Sequence, residues 1–170
     1  VADRGLTGIL LVGGASTRFG SPKALARFEG EMLAERAWRL LGEVCEERIA
    51  VGNVEGLPFP ALADEGTGPV AAIAAGLCRA SGDVAVVIPV DMPLLTGDAL
   101  GLLAGACRDA AVAQAGPLPC AVARRTVPAF EAGERRLRTV LEGLDTARVE
   151  LEERSLANVN TRADLDTLAP

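Results

Sequence analysis

Short unbroken apolar runs alternate along this chain with apolar residues at helical spacing. Ile9, Leu10, Leu11 and Val12 form a run that stops at Gly13-Gly14. Such a run predicts a strand over 8–12, covered on both faces as parallel strands are. Leu33, Ala37, Leu40, Leu41 and Val44 then recur at i, i+4, i+7, i+8 and i+11, which predicts a helix over 32–44. Short strands are expected at 48–51 and 61–63. Thr67-Gly68-Pro69 reads as a helix start with proline at the first helical position, and Val70, Ile73, Ala74, Leu77 and Cys78 supply its buried face. The most apolar strand, 84–90, ends at Asp91-Met92-Pro93. A helix over 97–108 follows, opened by Thr96 or Asp98 as a cap. Two strands at 110–113 and 120–123, a helix at 134–143, a strand at 148–151 and a helix from Arg162 complete the pattern.

Strands that alternate with helices imply crossover connections, hence an α/β fold. The expected architecture is a single three-layer sandwich over residues 1–170, with a mostly parallel sheet and helices on both faces. Ligands in such sheets bind beyond the carboxyl ends of the strands. Gly13 and Asp91 both follow strand ends.

Composition narrows the chemistry. Of 170 residues, 49 % are apolar and 24 % charged, the balance of a soluble globular protein. The net charge is −6, without a basic run, so neither nucleic acid nor a membrane surface is expected as partner. No window reaches the roughly 18 apolar residues of a membrane span, and Asp3 and Arg4 do not suit a signal peptide. Cys45, Cys78, Cys107 and Cys120 form no CxxC pair and are expected to be core or near-core thiols in a reducing cytoplasm. The absence of histidine leaves carboxylates or lysine as general bases, or a reaction that needs none. Phosphoryl and nucleotidyl transfers are of the last kind.

The main chemical signal is the loop Gly13-Gly14-Ala15-Ser16-Thr17-Arg18-Phe19-Gly20-Ser21-Pro22-Lys23. Glycines let main-chain N–H groups approach phosphate oxygens, and Arg18 and Lys23 add two cations. The loop matches neither GxxxxGK[ST] nor GxGxxG. Read by itself, it is either a polyphosphate cradle or a structural turn with solvated cations. Asp91, at the end of an apolar strand, suits magnesium, which takes one or two carboxylates and leaves other positions to phosphate oxygens; the alternative is a helix or turn cap. Asp64, just before Gly66-Thr67-Gly68-Pro69, can accept from a base or ribose or cap the next helix. Trp38 is expected on a helix surface or in the core rather than under a base, and residues 131–138 on a solvated face.

These residues resemble the MobA-type nucleotidyltransferases, which attach GMP from GTP to molybdopterin. Leu11-Val12-Gly13-Gly14, Arg18-Phe19-Gly20 and Lys23 are similar to the family signature LAGGxxxRMGxxK. Leu62-Ala63-Asp64 with Gly68-Pro69-Val70 resembles its acidic residue and helix start, and Asp91-Met92-Pro93 its DxP metal site. Ala132-Gly133-Glu134-Arg135-Arg136 and Asn158-Val159-Asn160-Thr161 resemble two late motifs. The match runs nearly end to end.

The resemblance implies a Rossmann-like nucleotidyltransferase fold and a catalytic set of Arg18, Lys23 and Asp91. It implies nucleotide binding by Leu11, Val12, Gly13, Gly14, Lys23, Asn53, Asp64 and Asp91, with Mg2+ on Asp91. Arg135, Asn158 and Asn160 are implied on the acceptor side. The substrates would be GTP and a molybdopterin-type acceptor, with enzymes of molybdenum-cofactor biosynthesis or its targets as partners. Gly13-Gly14 favours GTP over CTP within this group. Departures are Pro22, where the family commonly has aspartate, a loop commonly one residue longer, a Gly52-Asn53 pair that leaves the asparagine assignment ambiguous by one position, and a compact 116–119 segment. A cytidylyl- or sugar-nucleotide transferase and a non-catalytic nucleotide-binding paralogue are the competing expectations.

Overall fold

The computed structural model describes residues 5–14 and 19–170. In chain order the elements are β1 (Leu6–Leu11), β2 (Arg27–Phe28), β3 (Glu31–Met32), α1 (Leu33–Val44), β4 (Glu47–Val51), β5 (Ala61–Leu62), α2 (Pro69–Arg79) and β6 (Val84–Pro89). There follow α3 (Gly97–Ala106), β7 (Ala110–Ala113), β8 (Cys120–Ala123), α4 (Val127–Phe130), α5 (Leu137–Glu142), β9 (Thr146–Val149) and α6 (Arg162–Leu168). Seven strands form one sheet in the order β5-β4-β1-β6-β8-β7-β9. All neighbours are parallel except at β8, which runs antiparallel to both β6 and β7. The expected α/β sandwich with a mostly parallel sheet is therefore the observed architecture.

Side-chain alternation along β1 builds the two outer layers. Ile9 and Leu11 pack with Val70, Ile73 and Leu77 of α2 on one face. Leu10 packs with Leu33 and Leu41 of α1 and with Leu100 and Leu103 of α3 on the other. Burial on both faces explains why this strand lacks polar alternation. Close helix approach depends on missing side chains. A Cβ on Gly8 would stand 2.8 Å from Leu41 Cδ2, and one on Gly76 would stand 2.9 Å from Ile9 Cδ1.

Four local features depart from the expected pattern. The β2–β3 hairpin was not expected, because two-residue strands carry no periodicity; its turn has Glu29 at φ 51° and Gly30 at φ 82°, the two positive values that a type I′ turn needs. β8 is reversed because the link from Ala113 to Cys120 is shorter than the dozen or more residues of a parallel crossover. The helix expected over 134–143 starts only at Leu137, since Glu134 Oε1 accepts from the Arg136 N–H at 2.8 Å and holds that stretch in a turn. The last strand ends at Val149 rather than 151. Leu151 is instead held by the Gln114 side chain, whose Nε2 donates to Leu151 O at 2.6 Å and whose Oε1 accepts from Leu151 N at 2.9 Å.

Thr96 is the α3 cap, accepting from Ala99 N at 3.2 Å. Trp38 stacks on Phe59 at 4.3 Å and lies under the Arg48 guanidinium at 4.5 Å, so it staples the β4–β5 connection to α1. Of the four cysteines, Cys45 and Cys120 are buried, Cys107 is half-buried and Cys78 is exposed. Burial pushes the Cys45 thiol up to about 11 and the Cys120 thiol up to about 12. Among the described residues, no helix is long and apolar enough to cross a membrane.

Candidate active site

A cavity of about 590 Å³ opens at the carboxyl ends of β1, β4 and β6. Leu11, Val12, Gly13 and Gly14 line it from the end of β1, Val51 from β4, and Pro89, Val90 and Asp91 from β6. Asp64, Gly66, Gly68 and Pro69 close it on the α2 side, and Lys23 and Leu118 complete the wall. The three strand ends are brought level by register: Leu11 lies opposite Val51 and Pro89. The crevice faces the first turn of α2, whose N–H groups and dipole favour an anion.

Gly13, which lines the cavity, packs closely against Gly52. Gly52 has φ 143°, and a Cβ there would stand 2.5 Å from Gly13 N. Val12 N donates to Val51 O at 3.0 Å and Gly52 N to Leu62 O at 2.9 Å, which carries the sheet one step past the strands. Gly13 and Gly14, which carry no side chains of their own, line the cavity with main chain.

Lys23 and Asp91 face each other across the mouth. Lys23 Nζ lies 3.6 Å from Asp91 Oδ2 and donates to Asn160 Oδ1 at 3.3 Å. Burial raises the Asp91 carboxyl above its ordinary value, and the Lys23 charge and hydrogen bond pull it back. Asp91 does not cap α3, because Thr96 does. Its carboxylate is the group that can hold a hard cation. Among the described residues no three His, Cys, Asp or Glu side chains cluster as a ready-made metal site.

Asp64 does not cap α2 either: Gly68 stands at that cap without a side-chain bond. Asp64 Oδ1 accepts from Gly66 N at 3.1 Å, while the residue lines the cavity. Asn53 is not among the lining residues. Its amide is taken by the Asp64 main chain, with Nδ2 donating to Asp64 O and Oδ1 accepting from Asp64 N at 3.1 Å. The structure thus gives Asn53 the role of aligning Asp64.

The 158–161 motif proves to be a clamp on the site. Val159 is buried, and its N–H donates to the Asp91 carbonyl at 2.8 Å. Thr161 caps α6, and Asp164 Oδ2 accepts from Asn160 N at 2.7 Å and Thr161 N at 2.8 Å. Those N–H groups hold the Asp164 carboxyl below its ordinary value. The turn so formed aims Asn160 at Lys23. Asn158 and Arg135 are exposed and lie outside the cavity lining. Arg18 lies outside the described residues.

Three contributors carried no sequence signal of their own. Arg36 of α1 donates from Nε to the Pro93 carbonyl at 2.7 Å, lies 5.0 Å over the Phe28 ring and reaches Glu29 at 3.3 Å. It ties the loop after Asp91 to the β2–β3 hairpin. Arg162 reaches Ser21 and Phe19 on the Gly-rich loop. Asp164 completes the α6 capping box as the fourth residue of Thr-x-x-Asp.

The site can bind a polyanion against bare glycine main chain, one lysine and a helix start, with a carboxylate placed to share a cation. Comparison with known proteins agrees with that chemistry. The MobA-like NTP transferase domain matches residues 8–151. A protein named "Probable molybdenum cofactor guanylyltransferase" from Chloroflexus aggregans is 35 % identical over 190 residues, covering 94 % of this chain and 91 % of its own. The "Molybdenum cofactor guanylyltransferase" of Burkholderia ambifaria is 31 % identical over 195 residues, covering 96 % and 95 %. Among solved structures, molybdopterin-guanine dinucleotide biosynthesis protein A from Archaeoglobus fulgidus superposes with a TM-score of 0.79 at 23 % identity, over 95 % of this chain and 96 % of that one. The last likeness concerns the fold.

Proposed function

Because the chain belongs to the MobA-like NTP transferase family, we propose that it transfers GMP from GTP to the terminal phosphate of molybdopterin, releasing pyrophosphate. Membership makes the chain a nucleotidyltransferase; the reading adds the nucleotide, the acceptor and the roles of the residues. The observation that carries it is the meeting of Gly13-Gly14, Lys23 and Asp91 at one cavity.

In this reading Leu11 to Gly14 and Asp64 receive base and ribose, with Asn53 acting through Asp64. Lys23 holds the phosphates, joined by Arg18. The donor set fits magnesium, since a single strand-end carboxylate leaves the other positions to phosphate oxygens. Asp91 would hold that ion, which when bound neutralises charge on the phosphates. An oxygen of the acceptor phosphate forms a bond to the α-phosphorus as the bond from that phosphorus to the β-phosphate bridging oxygen breaks. The attacking oxygen is already anionic, so no proton need be removed, which suits a site without histidine. Catalysis then rests on positioning and charge neutralisation. Asn160, Asn158 and Arg135 are assigned to the acceptor side, with Asn160 also steadying Lys23. Four cysteines with no CxxC pair among them suit action in a reducing cytoplasm.

The test is incubation with magnesium, molybdopterin and either GTP or CTP, reading pyrophosphate and the dinucleotide product. Product from GTP in excess over CTP is expected. Turnover with CTP alone would replace guanylyl by cytidylyl transfer, and failure of both nucleotides to bind calorimetrically would favour a non-catalytic role.

A further inference from the structure

One side chain outside the cavity holds the half of the Gly-rich loop that ends in Lys23. Arg162 Nη2 donates to Ser21 Oγ at 3.0 Å, and its guanidinium lies 5.4 Å from the Phe19 ring centroid. Phe19 is buried at 3 % exposure, so the ring is a fixed abutment. Gly20, at φ 74°, makes the turn between the two contacts. Two residues beyond Ser21, Lys23 Nζ donates to Asn160, two residues before Arg162. The loop and the start of α6 therefore meet at two points in opposite donor sense.

The α6 side of this junction is rigid. Asp164 accepts from the N–H groups of Asn160 and Thr161, and Val159 donates to the Asp91 carbonyl. A circuit results in which Asp91 fixes Val159, the turn fixes Asn160 and Arg162, and these fix Lys23 and Ser21. Arg162 itself is exposed. Exposed polar contacts add little to stability, whereas a misplacement of about 1 Å at a reacting centre costs up to roughly 100-fold in rate. Arginine suits the task because its planar fork can donate and stack at once.

We infer that Arg162 is a positioning residue, which sets where Lys23 stands opposite Asp91 by tethering Ser21 and Phe19 to the start of α6. The inference deepens the proposed nucleotidyl transfer and rests on that reading for its kinetic consequence, though the tether is independent of it.

The experiment combines amide hydrogen exchange over residues 19–25 of the ligand-free protein with a kinetic double-mutant cycle. Arg162→Ala and Ser21→Ala are expected to speed exchange in that segment at an unchanged melting temperature. Arg162→Ala should lower kcat for GMP transfer about tenfold with a smaller change in KM, a loss in the range for a displaced catalytic group. Arg162→Lys should recover part of it. In a Lys23→Ala background, Arg162→Ala should cost nothing further. Unchanged exchange overturns the inference, as does an equal kinetic loss in both backgrounds. Absence of GMP transfer by the unmodified protein would refute the proposed function instead, and the exchange data would still decide the tether.

Discussion

The ammonium of Lys23 stands 3.6 Å from the carboxylate of Asp91, joining the Gly-rich loop to the carboxyl end of β6. In the proposed reaction the pair would set a cation for phosphate beside a ligand for a metal. Burial raises the Asp91 carboxyl above its ordinary value despite the neighbouring lysine.

Lys23→Ala is expected to lower kcat/KM for GMP transfer by roughly 100-fold or more, the loss typical of removing one preorganised charge. Asp91→Ala should abolish magnesium-dependent turnover. Steady-state kinetics over a magnesium series checks both, and near-normal activity of either variant would remove that residue from the mechanism.

Asp91→Asn should melt above the unmodified protein at pH 7 without nucleotide or metal. A folded-state pKa raised above the unfolded one gives a contribution that is full below the unfolded pKa, about 3.9, and lost as pH rises through the folded value. Ionised Asp91 therefore costs stability at neutral pH, and the neutral amide avoids that cost. The difference should close as pH falls toward about 4. Thermal melts at the two pH values measure it; a lower melting point for Asp91→Asn at pH 7 contradicts the argument.

Asp164 carries the opposite sign. The N–H groups of Asn160 and Thr161 lower its pKa, so its contribution is present above the unfolded pKa and lost as pH falls through the folded value. Asp164→Ala should melt below the unmodified protein at pH 7, and the gap should narrow below about pH 4. It should also reduce turnover, because the turn aiming Asn160 at Lys23 loses its acceptor. A pH-independent gap would mean that packing, not the carboxylate, carries the effect.

Arg36→Ala leaves the Pro93 carbonyl without its charged donor and frees the loop that follows Asp91. Hydrogen bonds to charged groups contribute about 1.5–3 kcal/mol, and a loss near the lower bound is expected because Arg36 is partly solvated. Denaturant unfolding reads that loss. Kinetics should show kcat falling more than KM rises, with partial recovery in Arg36→Lys; a purely thermodynamic effect would limit Arg36 to stability.

Much of the site was legible before any coordinates. Gly13, Gly14, Lys23, Asp64 and Asp91 all line one cavity, as expected of residues at strand ends. Asn53 was expected as a nucleotide contact by resemblance and by its place after β4. Only the packed loops reveal that both ends of its amide serve Asp64. The Asn158 to Thr161 motif was assigned to the acceptor side by resemblance alone. Its parts proved to be a buried valine, a side chain aimed at Lys23 and a helix cap.

What the sequence determined alone are the quantities set by local spacing. Continuous apolar runs make β1 and β6 buried parallel strands, helical spacing makes α1 and α2, and the residues that follow those strands must sit at the same end of the sheet. The reversal of β8, the Gly13–Gly52 approach and the Asn160–Lys23–Asp91 constellation were decided by the tertiary structure. Each depends on segments distant in the chain, held by main-chain hydrogen bonds and by cations such as Arg36 and Arg162 whose partners no periodicity encodes. Local pattern specifies which face a residue turns to the core, while only packing specifies what it meets there.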